Sequence, residues 1–84
     1  MKVYFSREFL QRYKKLKAGE RNIIDEVIET IVKNPDAGKP LRYSLKGLRS
    51  YRSGKMRVIY QVEKDKIYFI TFGLRKNIYE NLKK

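Results

Sequence analysis

Leu48-Arg49-Ser50-Tyr51-Arg52-Ser53-Gly54-Lys55-Met56-Arg57-Val58-Ile59-Tyr60-Gln61-Val62 is the stretch that decides the fold. A short run around Tyr51 and a second run rich in β-branched residues flank Ser53-Gly54-Lys55, the pattern of a hairpin closed by a glycine-containing turn. The spacing predicts strands over Leu48 to Arg52 and Met56 to Val62. Alternation places Val58, Tyr60 and Val62 on one face and Arg57, Ile59 and Gln61 on the other. The turn sets Arg52 and Arg57 opposite each other on one face. Like charges opposed across a strand pair cost a few tenths to ~1 kcal/mol. A phosphate held between them reverses that sign, because guanidinium groups bind phosphate through paired hydrogen bonds. The plainer alternative is that both side chains splay into water.

Working outward, Glu63 to Lys66 reads as a turn and Ile67 to Phe72 as a third strand, broken by Gly73. Leu74 to Lys84 is a basic tail, helical from about Lys76. Three consecutive strands with tight turns imply an antiparallel meander. Upstream, Lys46-Gly47 is a turn, Leu41 to Leu45 extended, and Asn34 to Pro40 a loop. Before these lies a helical half. Lys2 to Phe5 forms a short strand. Ser6 is an N-cap, with Phe5 and Leu10 in staple positions. A first helix runs from Arg7 to Lys17 and ends at Ala18-Gly19. A second, Glu20 to Lys33, carries the apolar stripe Ile23, Ile24, Val27, Ile28 and Ile31 and stops at Asn34-Pro35. The fold class is therefore α+β, with an N-terminal helix hairpin on one face of a small antiparallel sheet. The helices cover one face, so the other is expected to be open and cationic.

The 84 residues form one domain, residues 1–84, with room for a single modest core. Twenty-one Lys and Arg against nine Asp and Glu give a net charge of +12. A field of that sign attracts polyanions: nucleic acid first, an acidic protein second. With neither cysteine nor histidine, disulfides, thiolate zinc sites and histidine-based acid–base catalysis are excluded. The carboxylates do not cluster among the cations, which argues against a two-metal nuclease, and no glycine-rich phosphate loop is present. No metal or other cofactor is implied. No run approaches the ~20 apolar residues that span a bilayer, and the N-terminus has no secretory h-region. The expectation is a cytoplasmic protein with no membrane partner.

Arg42, Lys46, Arg49 and Lys55 surround the hairpin in sequence, and Tyr43, Tyr51, Tyr60, Tyr68 and Tyr79 lie among the cations. Aromatics interleaved with cations suit single-stranded RNA, where rings stack on bases and cations hold phosphates. Tyr60 and Tyr68 read as half-buried strand residues; Tyr51 and Tyr79 are the more open candidates. If the tail is helical, Arg75 and Tyr79 share a face. Cationic neighbours favour phenolate, which suits Tyr79 to moving a proton. Cleavage of RNA by such a set rests on positioning and charge stabilisation, with the ribose 2′-hydroxyl attacking the adjacent phosphate.

The run from Lys39-Pro40-Leu41 through Leu45-Lys46-Gly47-Leu48 to Arg52-Ser53-Gly54-Lys55-Met56-Arg57-Val58-Ile59-Tyr60-Gln61-Val62 resembles the central block of the RelE/ParE toxin superfamily. Gly73-Leu74-Arg75-Lys76-Asn77-Ile78-Tyr79 is similar to the family's closing motif, in which glycine, a basic residue and tyrosine recur. The resemblance implies a compact α+β domain like microbial ribonucleases, and a type II toxin that cuts messenger RNA in the ribosomal A site. It also implies an acidic cognate antitoxin as a tight partner, beside mRNA and the ribosome. Carried over by position, the catalytic set is Arg57, Arg75, Tyr79 and Arg52. Lys46, Arg49, Tyr51, Lys55 and Lys76 are the RNA-binding neighbours. The chain departs from the family pattern at Ser50, Leu74 and Lys55-Met56. Two other readings remain: a DNA gyrase poison on the same fold, and a non-catalytic RNA-binding domain.

Overall fold

The computed structural model describes residues 1–74. Five strands form one sheet in the order β1-β5-β4-β3-β2, where β1 is Lys2–Phe5, β2 Lys39–Pro40, β3 Leu48–Ser53, β4 Met56–Glu63 and β5 Lys66–Leu74. Two helices, α1 (Arg7–Lys14) and α2 (Ala18–Lys33), supply the second layer. The meander β3-β4-β5 is antiparallel as the turns require, with Gly54 at positive φ (59°) in its first turn and Gly47 (98°) in the turn that leads into β3.

The core lies between the helices and one face of the sheet. Phe9, Ile24, Val27 and Ile31 meet Val58, Tyr60, Ile67, Phe69 and Phe72, all buried. On β5 this face holds Ile67, Phe69 and Phe72, a spacing of two and then three. A β-bulge explains it: Ile59 pairs with Thr71 but Tyr60 with Phe69, so Ile70 is an extra residue. The bulge resets the alternation and lets Phe69 and Phe72 both reach Phe9, at ring distances of 5.7 and 4.8 Å. Ser6 anchors the same place. Its hydroxyl donates to the Ile70 carbonyl and accepts the Phe9 N–H, while its N–H donates to the Phe69 carbonyl. The predicted N-cap is thus also the joint between α1 and the bulged strand. Phe5 stacks on Phe69 and tilts against Phe9, while Leu10 stays largely exposed.

Four expectations need correction. First, β1 runs parallel to β5, pairing Lys2–Phe5 with Lys66–Phe69, so the sheet is mixed. Both helices and the meander separate the two strands, a connection long enough for a parallel crossover. Second, α1 ends at Lys14, and Ala18-Gly19 opens α2 instead of closing α1. The Glu20 carboxylate accepts the Lys17 N–H at 3.0 Å, which fixes Lys17 as the start of the second helix. Third, Leu41–Leu45 is not extended: Tyr43–Leu45 is a 3-10 turn with Tyr43 at φ 58°. The edge strand is Lys39–Pro40, paired with Ser50 and Arg49, an edge position where proline's missing N–H is tolerated. Fourth, Gly73 does not break β5 but continues it, opposite Arg57. The helix expected from Lys76 lies outside the described residues.

The segment before β2 is fastened by a buried phenol. Tyr60 Oη donates to the Pro35 carbonyl at 2.7 Å and accepts the Gly38 N–H at 2.8 Å. Burial raises the Tyr60 pKa, and the Gly38 hydrogen bond and the nearby Arg49 charge offset part of that rise. Tyr13 on α1 donates to Asp25 of α2 at 2.7 Å, and Arg21 lies 5.8 Å over its ring. That pair joins the two helices. Among the described residues no helix is long and apolar enough to cross a membrane.

Candidate nucleic-acid interface

The face turned away from the helices carries the predicted arginine pair. Arg52 and Arg57 are register partners across β3 and β4, and Gly73 of β5 is the next member of that row. Side chains directly opposite across antiparallel strands stand about 4.5–5.5 Å apart at Cβ, so the two arginines leave the sheet from neighbouring positions on one face. Arg52 is exposed and Arg57 half-buried. Arg57 reaches back along the face, its Nη1 3.5 Å from Ser50 Oγ. Ser50 thus sits beneath a guanidinium, where its small side chain fits.

This face is not open throughout. Its central row, Ser50, Ile59 and Thr71, is buried at 5%, 0% and 1% exposure. The expectation of an open face fails there. Arginine stems can cover apolar surface while keeping their heads wet, and Arg57 lying across Ser50 covers part of this row. Lys39, paired with Ser50 in register, adds a cation to the same side. The far end is aromatic: Tyr4 and Tyr68 stack at 5.1 Å, next to the register pair Lys2 and Lys66. Glu63, opposite Lys66, places a carboxylate at that end.

The other predicted residues divide. Arg49 pairs with Tyr60 and Tyr51 with Val58, so both stand on the helix side, away from Arg52 and Arg57. Arg49 is committed to the loop before β2: Nη1 donates to the Gly38 carbonyl at 2.7 Å, and Nη2 is 3.3 Å from Asp36. Tyr51 packs half-buried against the core instead of standing open. Lys46 and Lys55 are exposed at the turns that open and close β3. Arg75, Lys76 and Tyr79 lie outside the described residues.

Sequence reasoning missed Arg12. From α1 its Nη1 comes to 3.8 Å from the position a Cβ on Gly73 would occupy. Because β1 ends opposite Phe69, α1 packs along the remaining length of β5 and carries Arg12 to the end of the arginine row. No local sequence signal marks this, since it depends on the bulge and the Ser6 joint. Among the described residues, no three His, Cys, Asp or Glu side chains gather in a way that would hold a metal.

Comparison with known proteins bears on this arrangement. Residues 3–83 match the family model of the ParE-like toxin of type II bacterial toxin–antitoxin systems. Among solved structures, the chain is similar to the toxin–antitoxin complex RelBE2 from Mycobacterium tuberculosis, at 24% identity over 88% of this chain and 96% of that one, with a TM-score of 0.79. The RelB–RelE antitoxin–toxin complex from Methanococcus jannaschii matches at 24% identity, 94% and 98% coverage and a TM-score of 0.73. The isolated E. coli RelE toxin matches at 19% identity, 96% and 93% coverage and a TM-score of 0.72. These likenesses establish the shared fold. No curated protein matches the chain.

Proposed function

The chain belongs to the ParE-like toxins of type II bacterial toxin–antitoxin systems, and from that premise we propose that it is a ribosome-dependent endoribonuclease that cuts messenger RNA in the A site. The observation that carries this reading is the opposed pair Arg52 and Arg57 on the face away from the helices. A sheet built for stability alone gains nothing from two like charges in register. A phosphodiester between them gains two fork-shaped donors aimed at its oxygens.

The chemistry that suits this site is attack of the ribose 2′-oxygen on the adjacent phosphorus. The bond to the 5′-oxygen of the next nucleotide breaks, leaving a cyclic phosphate and a free 5′-hydroxyl. Negative charge grows on the non-bridging oxygens as the 2′-oxygen adds, and Arg57, with Arg52 beside it, is placed to stabilise that charge. One proton leaves the 2′-hydroxyl and one reaches the departing oxygen. Tyr79 is the proposed group for that traffic, with the Arg75 charge favouring its phenolate. The ribosome's part is to present one codon in an extended form that a small domain cannot enforce by itself.

The partner we propose is an acidic antitoxin encoded beside this gene. Its electrostatic basis is the +12 charge. An apolar groove of about 310 Å³ between α1, α2 and the end of β1, bordered by the exposed Phe5 and Leu10, offers it a non-polar seat. Induction of the chain alone is expected to stop colony growth, and co-induction of the neighbouring acidic protein to restore it. Undiminished growth with the chain detected at full length in the cell would oppose the toxin reading.

A further inference from the structure

We propose that Arg12, Arg57 and the side-chain-free Gly73 between them form a phosphate-binding notch, which holds a backbone phosphate of the single-stranded RNA named as substrate above; the inference rests on that reading. Gly73 lies inside β5, paired with Arg57, and not in a turn. Glycine inside a strand often marks a place where a ligand or another backbone comes close. A Cβ built there points away from the core, and among the described residues it meets Arg12 Nη1 at 3.8 Å. Among the described residues the row across this end of the sheet therefore reads Arg52, Arg57, the glycine, then Arg12, with a cation on each side of Gly73.

Arg12 reaches Gly73 from a helix, so neither strand alternation nor a turn supplies it. Its ion-pair partner among the described residues, Glu8, is 3.7 Å from Nε, and both side chains are about half exposed, at 41% and 53%. An exposed pair of that kind is worth little, which leaves the guanidinium available to a stronger anion. A phosphate in the notch would receive donors from two arginines, over a residue that has no side chain of its own.

The test is binding, not cutting. A 2′-O-methyl RNA oligonucleotide cannot be cleaved, and its affinity is measured across a salt series for the wild-type chain and four variants. Arg12→Gln is expected to reduce the salt slope by about 0.7, the value of one single-strand phosphate contact, and affinity about fivefold at 0.1 M salt. Arg12→Lys recovers part of that loss. Gly73→Ala, whose added methyl makes an ordinary contact with Arg12 and no closer one among the described residues, is expected to weaken binding with no change of charge. Lys33→Gln removes a charge already paired with Glu29 on α2 and is expected to leave binding nearly unchanged. Thermal melts confirm that each variant is folded. Equal losses for Arg12→Gln and Lys33→Gln, wild-type affinity in Gly73→Ala, or no oligonucleotide binding by the wild type would overturn the notch. Unchanged oligonucleotide binding with weakened antitoxin binding in Arg12→Gln would overturn it in favour of a protein carboxylate. Intact binding behaviour in a chain that cuts no message would leave the notch standing and defeat the enzyme reading alone.

Discussion

Arg57→Ala is expected to lower message cleavage by about 10²–10³-fold, the usual loss on removing one preorganised donor to a developing anion, with the protein still folded. Arg57 is half-buried and faces Arg52. Its removal deletes a charge-assisted fork and also relieves the like-charge opposition, so stability should change by no more than about 1 kcal/mol. Arg57→Lys separates charge from geometry: an ammonium keeps the charge but not the planar pair of donors, and intermediate activity is expected. Cleavage rates in a translation mixture, read beside thermal melts, check both points. An Arg57→Ala chain that cuts at the wild-type rate would remove Arg57 from the site.

The largest stability loss is expected from Gly38→Ala. The backbone of Gly38, at φ −82° and ψ 155°, accepts any residue. The obstacle is space: an added Cβ would lie 2.7 Å from Tyr60 Oη, 2.8 Å from Tyr60 Cε1 and 3.0 Å from the Ser50 carbonyl oxygen. Tyr60 is fully buried beside Phe69 and cannot retreat. Overpacking of this kind costs about 1–3 kcal/mol. Losing the hydrogen bonds that Tyr60 Oη makes with Gly38 and Pro35 adds about 1–3 kcal/mol. A domain of this length has on the order of 4–13 kcal/mol in total, so a fall in melting temperature of about 10 °C or more is expected. Tyr60→Phe, which loses the hydrogen bonds without the clash, should fall between wild type and Gly38→Ala. Near-wild-type melting of Gly38→Ala would show that the loop moves freely away from the phenol.

Much of the frame was legible because it is local. The turn at Ser53-Gly54-Lys55 and period-two alternation suffice to put Arg52 against Arg57 and Tyr60 in the core. Ser6 is readable as a cap because capping needs only its own helix. The alternation that joins Arg52 to Arg57 also sends Arg49 and Tyr51 to the helix side. Nearness in sequence to Arg52 therefore does not make them neighbours of the arginine pair. What could not be read depends on contacts across the chain. The parallel pairing of β1, the edge strand at Lys39–Pro40 and the buried Ile59 row are set by which elements meet. The approach of Arg12 to Gly73 needs the Ile70 bulge and the Ser6 joint together, and neither has a sequence signature of its own.

The central claim is that guanidinium groups raised from this sheet grip a phosphodiester of messenger RNA while the ribosome holds it. Translation in vitro of a defined message with the purified chain, followed by primer extension, tests it most directly. The account predicts new 5′ ends inside A-site codons, absent when ribosomes are omitted and lost with Arg57→Ala. Full-length message throughout, together with blocked DNA supercoiling by gyrase in a parallel reaction, would contradict it.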